Sequence, residues 1–116
     1  MFSGLLLAAT LTVIDGDTLR IDGKRLRLVG IDAPEIHACP SYRRCVPGDG
    51  QASKRSLQRL LSGSISIRRV GHDRFGRTLA HVYSGGRNVA CEMIRLNRAV
   101  YVQRWDTGSQ LARECR

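Results

Sequence analysis

Alternating apolar and charged residues near the start of the chain predict β-structure. Over Lys24–Val29, leucines and arginines take turns, which is the period-two pattern of a strand with one buried face. Asp22-Gly23 separates this segment from Thr18–Ile21 and is a dipeptide typical of a tight hairpin turn. The β-branched segment Leu11–Ile14 comes just before them. Three consecutive strands are therefore predicted early in the chain.

The spacing of apolar residues then lengthens to that of a helix. In Gln51–Leu61, small and apolar residues share one face, whereas the basic residues lie elsewhere. We expect Gly63 to end this helix. Two further alternating segments, Ser64–Arg69 and Arg77–Tyr83, are predicted as strands, and Gly71–Gly76 as the polar turn between them.

The last part of the chain favours helices. Asn88 is suited to cap a helix over Val89–Leu96, and Asn97 to a left-handed exit from it. A short helix is expected near Ser109–Cys115. Five short strands with a helix between the third and fourth predict an α+β, mainly β fold, a five-stranded OB-type barrel with two or three packed helices. Residues 1–116 have the size of one domain.

Four cysteines in so short a chain indicate oxidising surroundings, with two disulfides as the simplest arrangement. Three pairings are open to four cysteines. We favour Cys39 with Cys45, which closes a small loop, and Cys91 with Cys115, which pins the C-terminal segment. A zinc site that combines the first pair with His37 matches no standard ligand spacing and is disfavoured.

The N-terminal residues 1–9 contain an apolar run with two interpretations. It resembles the remnant of an export signal, or it is the start of the first strand. Together with the cysteines, it leads us to expect a secreted or periplasmic protein. No segment of the sequence approaches the uninterrupted apolar length that a membrane span needs.

Charge indicates the kind of partner. The formal net charge is +9, and Lys24 and Lys54 are the only lysines among 19 basic residues, so 17 are arginines. Arginine can hold a phosphate through two parallel hydrogen bonds, and a basic surface attracts polyanions. A well-solvated surface rich in arginine is an equally good interpretation of composition alone.

The acidic residues favour the first interpretation. Only ten carboxylates occur, and four of them fall in one short stretch, at Asp15, Asp17, Asp32 and Glu35. Grouped acids would repel a polyanion unless a bound cation lay among them and coordinated a phosphate oxygen. Asp15 has a simpler role available, which is to order the turn before Gly16.

The predicted hairpin brings these residues together. It places Asp17, at the start of the second strand, beside the third strand, just past which Asp32 lies. Arg27 is on the same hairpin, and Arg77 begins the last predicted strand. Two carboxylates, a third at Glu35 and two arginines are the groups that phosphodiester hydrolysis needs.

Three sequence blocks resemble the signature motifs of the staphylococcal nuclease family. They are VIDGDT at 13–18, RLVGIDAPE at 27–35 and DRFGR at 73–77. The resemblance runs from about Leu11 to Val102 in consistent order and spacing. It implies a Ca²⁺-dependent endonuclease on an OB-type barrel, acting on DNA and RNA and leaving 3′-phosphate and 5′-hydroxyl ends.

The resemblance also implies a role for each matching residue. Asp17 and Asp32 would bind the metal through carboxylates and Ala33 through its backbone carbonyl. Glu35 would be the general base. Arg27 and Arg77 would brace the phosphate in the transition state. Contacts with the nucleic acid are expected from Arg74, Phe75 and Tyr101. A monomer without an obligate protein partner and without a membrane partner is expected.

The chain departs from the best-known family member at several positions. Ala33 replaces a threonine, so a hydroxyl that could support the site is gone, and Phe75 replaces a tyrosine. The aromatic cluster that holds a base is only loosely matched by Tyr101 and Trp105. The loop His37–Gly50 has no counterpart in that member. Substrate preference is therefore the least transferable property.

The alternative to an enzyme is an OB-type module that binds nucleic acid without cutting it. Related domains inside larger proteins are understood to have kept the fold and lost catalytic residues. A module of that kind has no need for the full set, and this chain retains it. Hydrolysis is therefore the favoured hypothesis.

Overall fold

A computed structural model describes residues 10–116 of the chain, and the two interpretations of residues 1–9 lie outside that range. Eight strands and three α-helices follow in order. The strands are β1 (Leu11–Asp15), β2 (Thr18–Ile21), β3 (Lys24–Leu28), β4 (Ile31–Asp32), β5 (Ile65–His72), β6 (Thr78–Ser84), β7 (Arg87–Asn88) and β8 (Val100–Tyr101). The helices are α1 (Gly50–Leu60), α2 (Val89–Arg95) and α3 (Gln110–Glu114), with 3₁₀ turns at Gln103–Trp105 and Thr107–Ser109.

Five longer strands form the main sheet in the order β1-β2-β3-β6-β5. Neighbours are antiparallel except for β3 and β6, which are parallel, with Leu26 opposite Thr78 and Leu28 opposite Ala80. A helix between β3 and β5 completes the arrangement of an OB-type barrel. The predicted fold class is therefore confirmed.

The core lies between this sheet and the helices. Leu19, Leu28 and Ile31 from the strands are fully buried against Leu57 of α1 and Met93 of α2. Helix α1 begins at a side-chain cap, because the carboxylate of Asp49 accepts a hydrogen bond from the backbone N–H of Ala52 at 3.1 Å. Most residues of α1 that face the core are small, so the helix packs close to the strands. This close packing fixes the segments next to the helix that form the site described below.

Most predicted elements differ from the observed ones by a residue or two at their ends. Two turns differ more. Helix α1 ends at Leu60 and no left-handed glycine follows it directly, so Gly63 does not end it as expected. Strand β5 continues to His72, three residues past its predicted end and into the predicted turn Gly71–Gly76. Asn88 caps α2 as expected, and Asn97 has a positive φ of 59°. The two-residue strands β4, β7 and β8 were not predicted, because segments so short carry no period that a sequence pattern could reveal.

Both favoured disulfides are present, Cys39–Cys45 and Cys91–Cys115. The first occupies both sulfurs on which a zinc site with His37 would depend, so that alternative is wrong. The second ties α2 to the end of α3. Within residues 10–116, no helix has the length and apolar character to cross a lipid bilayer.

The C-terminal segment is fixed by one buried acid. The carboxylate of Asp106 accepts hydrogen bonds from the backbone N–H groups of Leu111 and Ala112 and from the hydroxyl of Tyr101, at 2.7–3.0 Å. Tyr101 lies on β8, which pairs with β4 so that Ile31 is opposite Tyr101. The end of the chain is thereby coupled to the strand that carries Asp32.

One histidine was misplaced by the sequence pattern. We expect all three to lie in loops or on strand surfaces, yet His81 of β6 is only 1% exposed. Its Nδ1 lies 3.1 Å from the side-chain nitrogen of Asn88, and its Nε2 has no hydrogen-bond partner among the described residues. The mistake arose because β6 is buried on both faces along Ala80–Val82, where strict alternation fails.

Burial lowers the pKa of His81, so this residue makes stability depend on pH. An unfolded histidine takes up a proton near pH 6.5, whereas the folded one does so only at lower pH. The free energy of unfolding should therefore fall as the pH falls below that value, by up to about 1.4 kcal/mol per pH unit. In His81→Gln this part of the pH dependence should vanish in urea titrations at about pH 7.5 and 5.5.

The control for His81→Gln is His72→Gln, which changes an exposed histidine at the end of β5. In this control, the free energy of unfolding should depend on pH as it does in the unaltered protein. Identical pH dependence of stability in His81→Gln and the unaltered protein would rule out the buried neutral imidazole as its source.

Candidate active site

Asp17 is positioned by the hairpin between β2 and β3. Its carbonyl accepts a hydrogen bond from the backbone N–H of Leu28 at 2.9 Å, and Thr18 is opposite Arg27. The turn before it is tightly packed, because a Cβ on Gly16 would lie 2.7 Å from the Cβ of Ala33. Only glycine fits this contact, which brings Asp17 beside the segment that follows β4.

The carboxylate of Asp17 is buried, and both of its oxygens have partners. One oxygen accepts from the hydroxyl of Thr18 and contacts Nη1 of Arg27, both at 2.9 Å. The other accepts from the backbone N–H of Ala33 at 2.9 Å. Burial alone would raise the pKa of Asp17, but the charge of Arg27 and these hydrogen bonds hold the pKa below its ordinary value. Asp17 is therefore ionised in the folded protein.

Asp15 orders the turn, as expected. Its carboxylate accepts the backbone N–H of Asp17 at 3.2 Å. Burial raises the pKa of Asp15 to about 7, and the hydrogen bond and charge of Asp17 act in the same direction. Below pH 7 the negative charge of this pair therefore lies mainly on Asp17.

Arg27 is the central group of the site. Its Nη2 donates to the carbonyl of Ile31 at 3.1 Å and lies 3.7 Å from a carboxylate oxygen of Asp32. The guanidinium also lies over the ring of Trp105, 4.9 Å from its centroid. Together with the contact to Asp17, these interactions leave the side chain only 11% exposed.

Asp32 ends β4 and lies on the other side of Arg27. Its second carboxylate oxygen is 2.9 Å from Nη2 of Arg43. Burial raises the pKa of Asp32, and the nearby charge of Asp17 raises it further, although Arg43 and Arg27 oppose both effects. Two acids thus share a small volume in which additional positive charge is favourable.

Glu35 borders this group at the start of the loop. The backbones of Glu35 and Gly50 lie very close together, because a Cβ added to Gly50 would be 2.3 Å from the carbonyl oxygen of Glu35. The glycine that begins α1 therefore fixes the backbone of Glu35. Its side chain is about one-third exposed, and a carboxylate oxygen lies 3.5 Å from Nη1 of Arg43.

Arg77 precedes β6 and is held by Asp73. Nε and the backbone N–H of Arg77 both donate to the Asp73 carboxylate, at 2.7 and 3.0 Å. The same carboxylate accepts the N–H of Phe75, which shapes the turn. Because Leu79 is opposite Arg27 in the parallel pair β3·β6, Arg77, two residues earlier, is on the same face of the sheet as Arg27.

Arg27 and Arg77 border a common hollow of about 450 Å³, which we call the arginine cleft. It continues into a hollow of about 760 Å³ that reaches Asp32 and the exposed Tyr42. The side chains shared by both parts are Arg43, Arg74, Phe75, Arg77, Arg104 and Trp105. A cleft of guanidinium and aromatic groups suits a phosphate backbone and its bases.

A larger hollow of about 840 Å³ lies elsewhere, between α2 and the C-terminal residues. It shares no residue with the arginine cleft. Of its two acidic side chains, Glu114 already accepts hydrogen bonds from Tyr83 and Asn88, and Glu92 is paired with Arg95. We therefore do not consider it the site of the chemistry.

The structure brings most of the predicted residues together. Asp17, Arg27, Asp32 and Ala33 are joined by direct contacts, and Glu35 is joined to them through Arg43. The cleft-lining set includes Arg77, Arg74 and Phe75. Tyr101 is not in that set, and its hydroxyl is bound to Asp106.

Three contributing residues escaped the sequence analysis. Arg43 binds Asp32 and Glu35 from a loop without any periodic pattern. Asp73, although inside a recognised motif, was not identified as the residue that orients Arg77. Trp105 was considered only as a base contact, yet it packs on Arg27. The spacing of Asp73 and Arg77, four residues apart across a turn, was the one available signal.

The donor set fits a hard divalent cation. Two carboxylates and the backbone carbonyl of Ala33 are oxygen ligands of the kind that calcium prefers, and water supplies the remaining positions. The mutual repulsion of Asp17 and Asp32, visible in the raised pKa of Asp32, would be relieved by a cation between them. Within residues 10–116, no three acidic, histidine or cysteine side chains converge as a complete metal-binding group.

Comparison with known proteins gives one family. The model of the staphylococcal nuclease homologue family matches residues 25–115. The matched region includes Arg27, Asp32, Glu35 and Arg77, while Asp17 lies upstream of it.

Curated relatives agree with that match. The succinoglycan biosynthesis protein ExoI of Rhizobium meliloti is 36% identical over 93 residues, covering 77% of this chain and 49% of that protein. An uncharacterized endonuclease of Haemophilus influenzae is also 36% identical over 93 residues, covering 75% of this chain and 47% of its own length. The endonuclease YncB of Bacillus subtilis is 34% identical over 99 residues, covering 77% and 46%. This chain thus spans about half the length of these relatives.

The ion pair of Arg27 with Asp17 should dominate the stability of the site. Arg27→Gln would leave a buried carboxylate uncompensated, so the free energy of unfolding should fall by about 3 kcal/mol. Urea titration at neutral pH measures this change. In the double variant Arg27→Gln with Asp17→Asn, much of the loss should be recovered, because the buried charge is removed as well. Strictly additive losses would contradict a direct coupling.

Proposed function

The chain belongs to the staphylococcal nuclease family, and we propose that it is a Ca²⁺-dependent endonuclease that hydrolyses phosphodiester bonds of DNA and RNA. The observation that carries this proposal is the contiguous group of Asp17, Arg27 and Asp32 beside the arginine cleft. Acidic oxygens for a cation and guanidinium groups for a phosphate meet there at one edge of the barrel. The endonuclease names of two relatives support the same activity.

Asp17, Asp32 and the carbonyl of Ala33 would hold calcium in this proposal. The cation would supply positive charge to a phosphate oxygen and lower the barrier to attack at phosphorus. The hydrogen bond from the Ala33 N–H to Asp17 supports this ligand set, since it fixes the backbone of one ligand against the carboxylate of another. The alanine side chain is not required for it.

Glu35 is the proposed general base. Its side chain is about one-third exposed and lies beside Arg43, which lines the cleft, so it can accept a proton from a water molecule next to Arg43. Arg27 and Arg77 would stabilise the charge that develops on the phosphate. Arg27 is preorganised by Trp105 and Asp17, and Arg77 by Asp73. The expected products carry a 3′-phosphate and a 5′-hydroxyl.

The nucleic acid would run along the arginine cleft. Arg74 offers a phosphate contact. Phe75 is 60% exposed, so a base can stack on its ring beside the guanidinium groups of Arg74 and Arg77, which lie 5.1 and 5.6 Å from the ring centroid. Tyr101 is 38% exposed, and its ring could contact a nucleotide even though its hydroxyl is engaged. We propose that the protein is a monomer and that it is secreted or periplasmic. The two disulfides support this location, because they persist in oxidising surroundings.

Removal of a metal ligand tests the function most simply. Asp17→Ala or Asp32→Ala should abolish cleavage of heat-denatured DNA in the presence of Ca²⁺, because each change removes an anionic ligand. Circular dichroism should show a folded protein. The control with unchanged cleavage is Asp22→Asn, which removes an exposed carboxylate and keeps a residue suited to the positive φ of 51° at that turn. Binding of DNA without cleavage by the unaltered protein would favour the binding module instead.

Glu35→Gln isolates the proton acceptor. The change keeps the size of the side chain and removes its basicity, so kcat should fall by about a hundredfold or more, with little change in KM. Steady-state kinetics on an oligonucleotide separates the two constants. A raised KM with normal kcat would mean that Glu35 contributes to binding and is not the base.

A further inference from the structure

Arg43 occupies a position that the proposed mechanism does not explain. Its guanidinium bridges two carboxylates, with Nη2 2.9 Å from Asp32 and Nη1 3.5 Å from Glu35. In the proposed function these are a metal ligand and the general base. As long as Arg43 rests on them, one oxygen of each is occupied by a cationic side chain.

The loop that carries Arg43 is constrained by contacts of its own, besides these two ion pairs. The disulfide between Cys39 and Cys45 closes a short ring around it. Within the ring, the backbone N–H of Arg43 donates to the carbonyl of Pro40 at 3.3 Å. Because the backbone is fastened covalently, the side chain can exchange partners without unfolding the loop.

The position of the guanidinium also determines what else it can reach. In the proposed reaction, Asp32 would help to hold the cation and Glu35 would accept a proton from the attacking water, so the substrate phosphate would have to be near both residues. A group that contacts both carboxylates can contact the phosphate placed between them. Arg43 moreover lines both parts of the arginine cleft, together with Arg77.

We propose that Arg43, which contacts Asp32 and Glu35, is a third substrate-binding arginine and passes to the substrate phosphate when a divalent cation is bound beside it. This inference rests on the proposed function. The exchange is feasible because the Arg43 side chain is 31% exposed and can turn toward solvent, while the cation replaces its positive charge beside Asp32, whose side chain is only 9% exposed. A divalent cation bound by oxygen ligands can displace such a contact.

The exchange predicts opposite effects on the two ligands. In Arg43→Gln, Ca²⁺ no longer has to displace a guanidinium, so its dissociation constant should fall by about two- to fivefold. The same variant lacks a charged donor to the phosphate, so KM for an oligonucleotide should rise by about tenfold. A loosened loop would instead weaken both ligands.

The experiment combines calorimetric titration of Ca²⁺ with steady-state kinetics on a single-stranded oligodeoxynucleotide. Arg44→Gln is the matched control for general cleft charge, because Arg44 is the next residue of the same disulfide ring and also lines the outer hollow. Unlike Arg43, it makes no ion pair within residues 10–116. Differences are measured relative to this control. Arg43→Lys should restore part of the KM effect, since it keeps the charge.

Tighter Ca²⁺ binding with a raised KM in Arg43→Gln, compared with Arg44→Gln, supports the inference. Equal values in the two variants would reduce Arg43 to general surface charge and overturn it. Weaker binding of both ligands would assign Arg43 a structural role, and tighter Ca²⁺ with an unchanged KM would remove the phosphate contact. If the unaltered protein and all variants fail to bind Ca²⁺, the proposed function itself is wrong.

Discussion

The buried contact of Arg27 with Asp17 is the interaction on which the rest of the site depends. Asp17 and Asp32 lie close enough for their charges to repel, in a region from which solvent is largely excluded. The guanidinium compensates both acids, binds the carbonyl of Ile31 and packs on Trp105. Without it, the ends of β2 and β4 could not approach each other, because uncompensated buried charges are costly.

The barrel makes this arrangement local and rigid. The register of the β2–β3 hairpin places Asp17 beside Arg27, and the parallel pair β3·β6 brings Arg77 to the same face of the sheet. Strand β8 pairs with β4 and so fixes the backbone of Asp32. The groups that would act on a phosphate therefore come from strand ends and short turns. The longer loop contributes Arg43, which covers two of the acids. The site therefore combines groups held in place by the strands with one side chain, Arg43, that can change partners.

Much of this was predictable because its causes are local in sequence. Asp22-Gly23 fixes a two-residue turn, and the turn determines which residue faces Arg27. The acids are separated by a hairpin of known geometry, so their proximity follows from it. Arg43 was not predictable, because no periodicity orients a side chain inside a disulfide ring. His81 was misplaced for a related reason, since burial of both faces of β6 removes the alternation that marks a surface.

The account makes one central claim, that this group of acids and arginines hydrolyses a phosphodiester with the help of calcium. The most direct measurement is the chemical identity of the ends produced from a defined oligonucleotide as Ca²⁺ is titrated. The account predicts cleavage that increases with Ca²⁺, stops when a chelator is added, and leaves 3′-phosphate and 5′-hydroxyl ends. Cleavage that is indifferent to chelation, or products that carry 5′-phosphates, would contradict it.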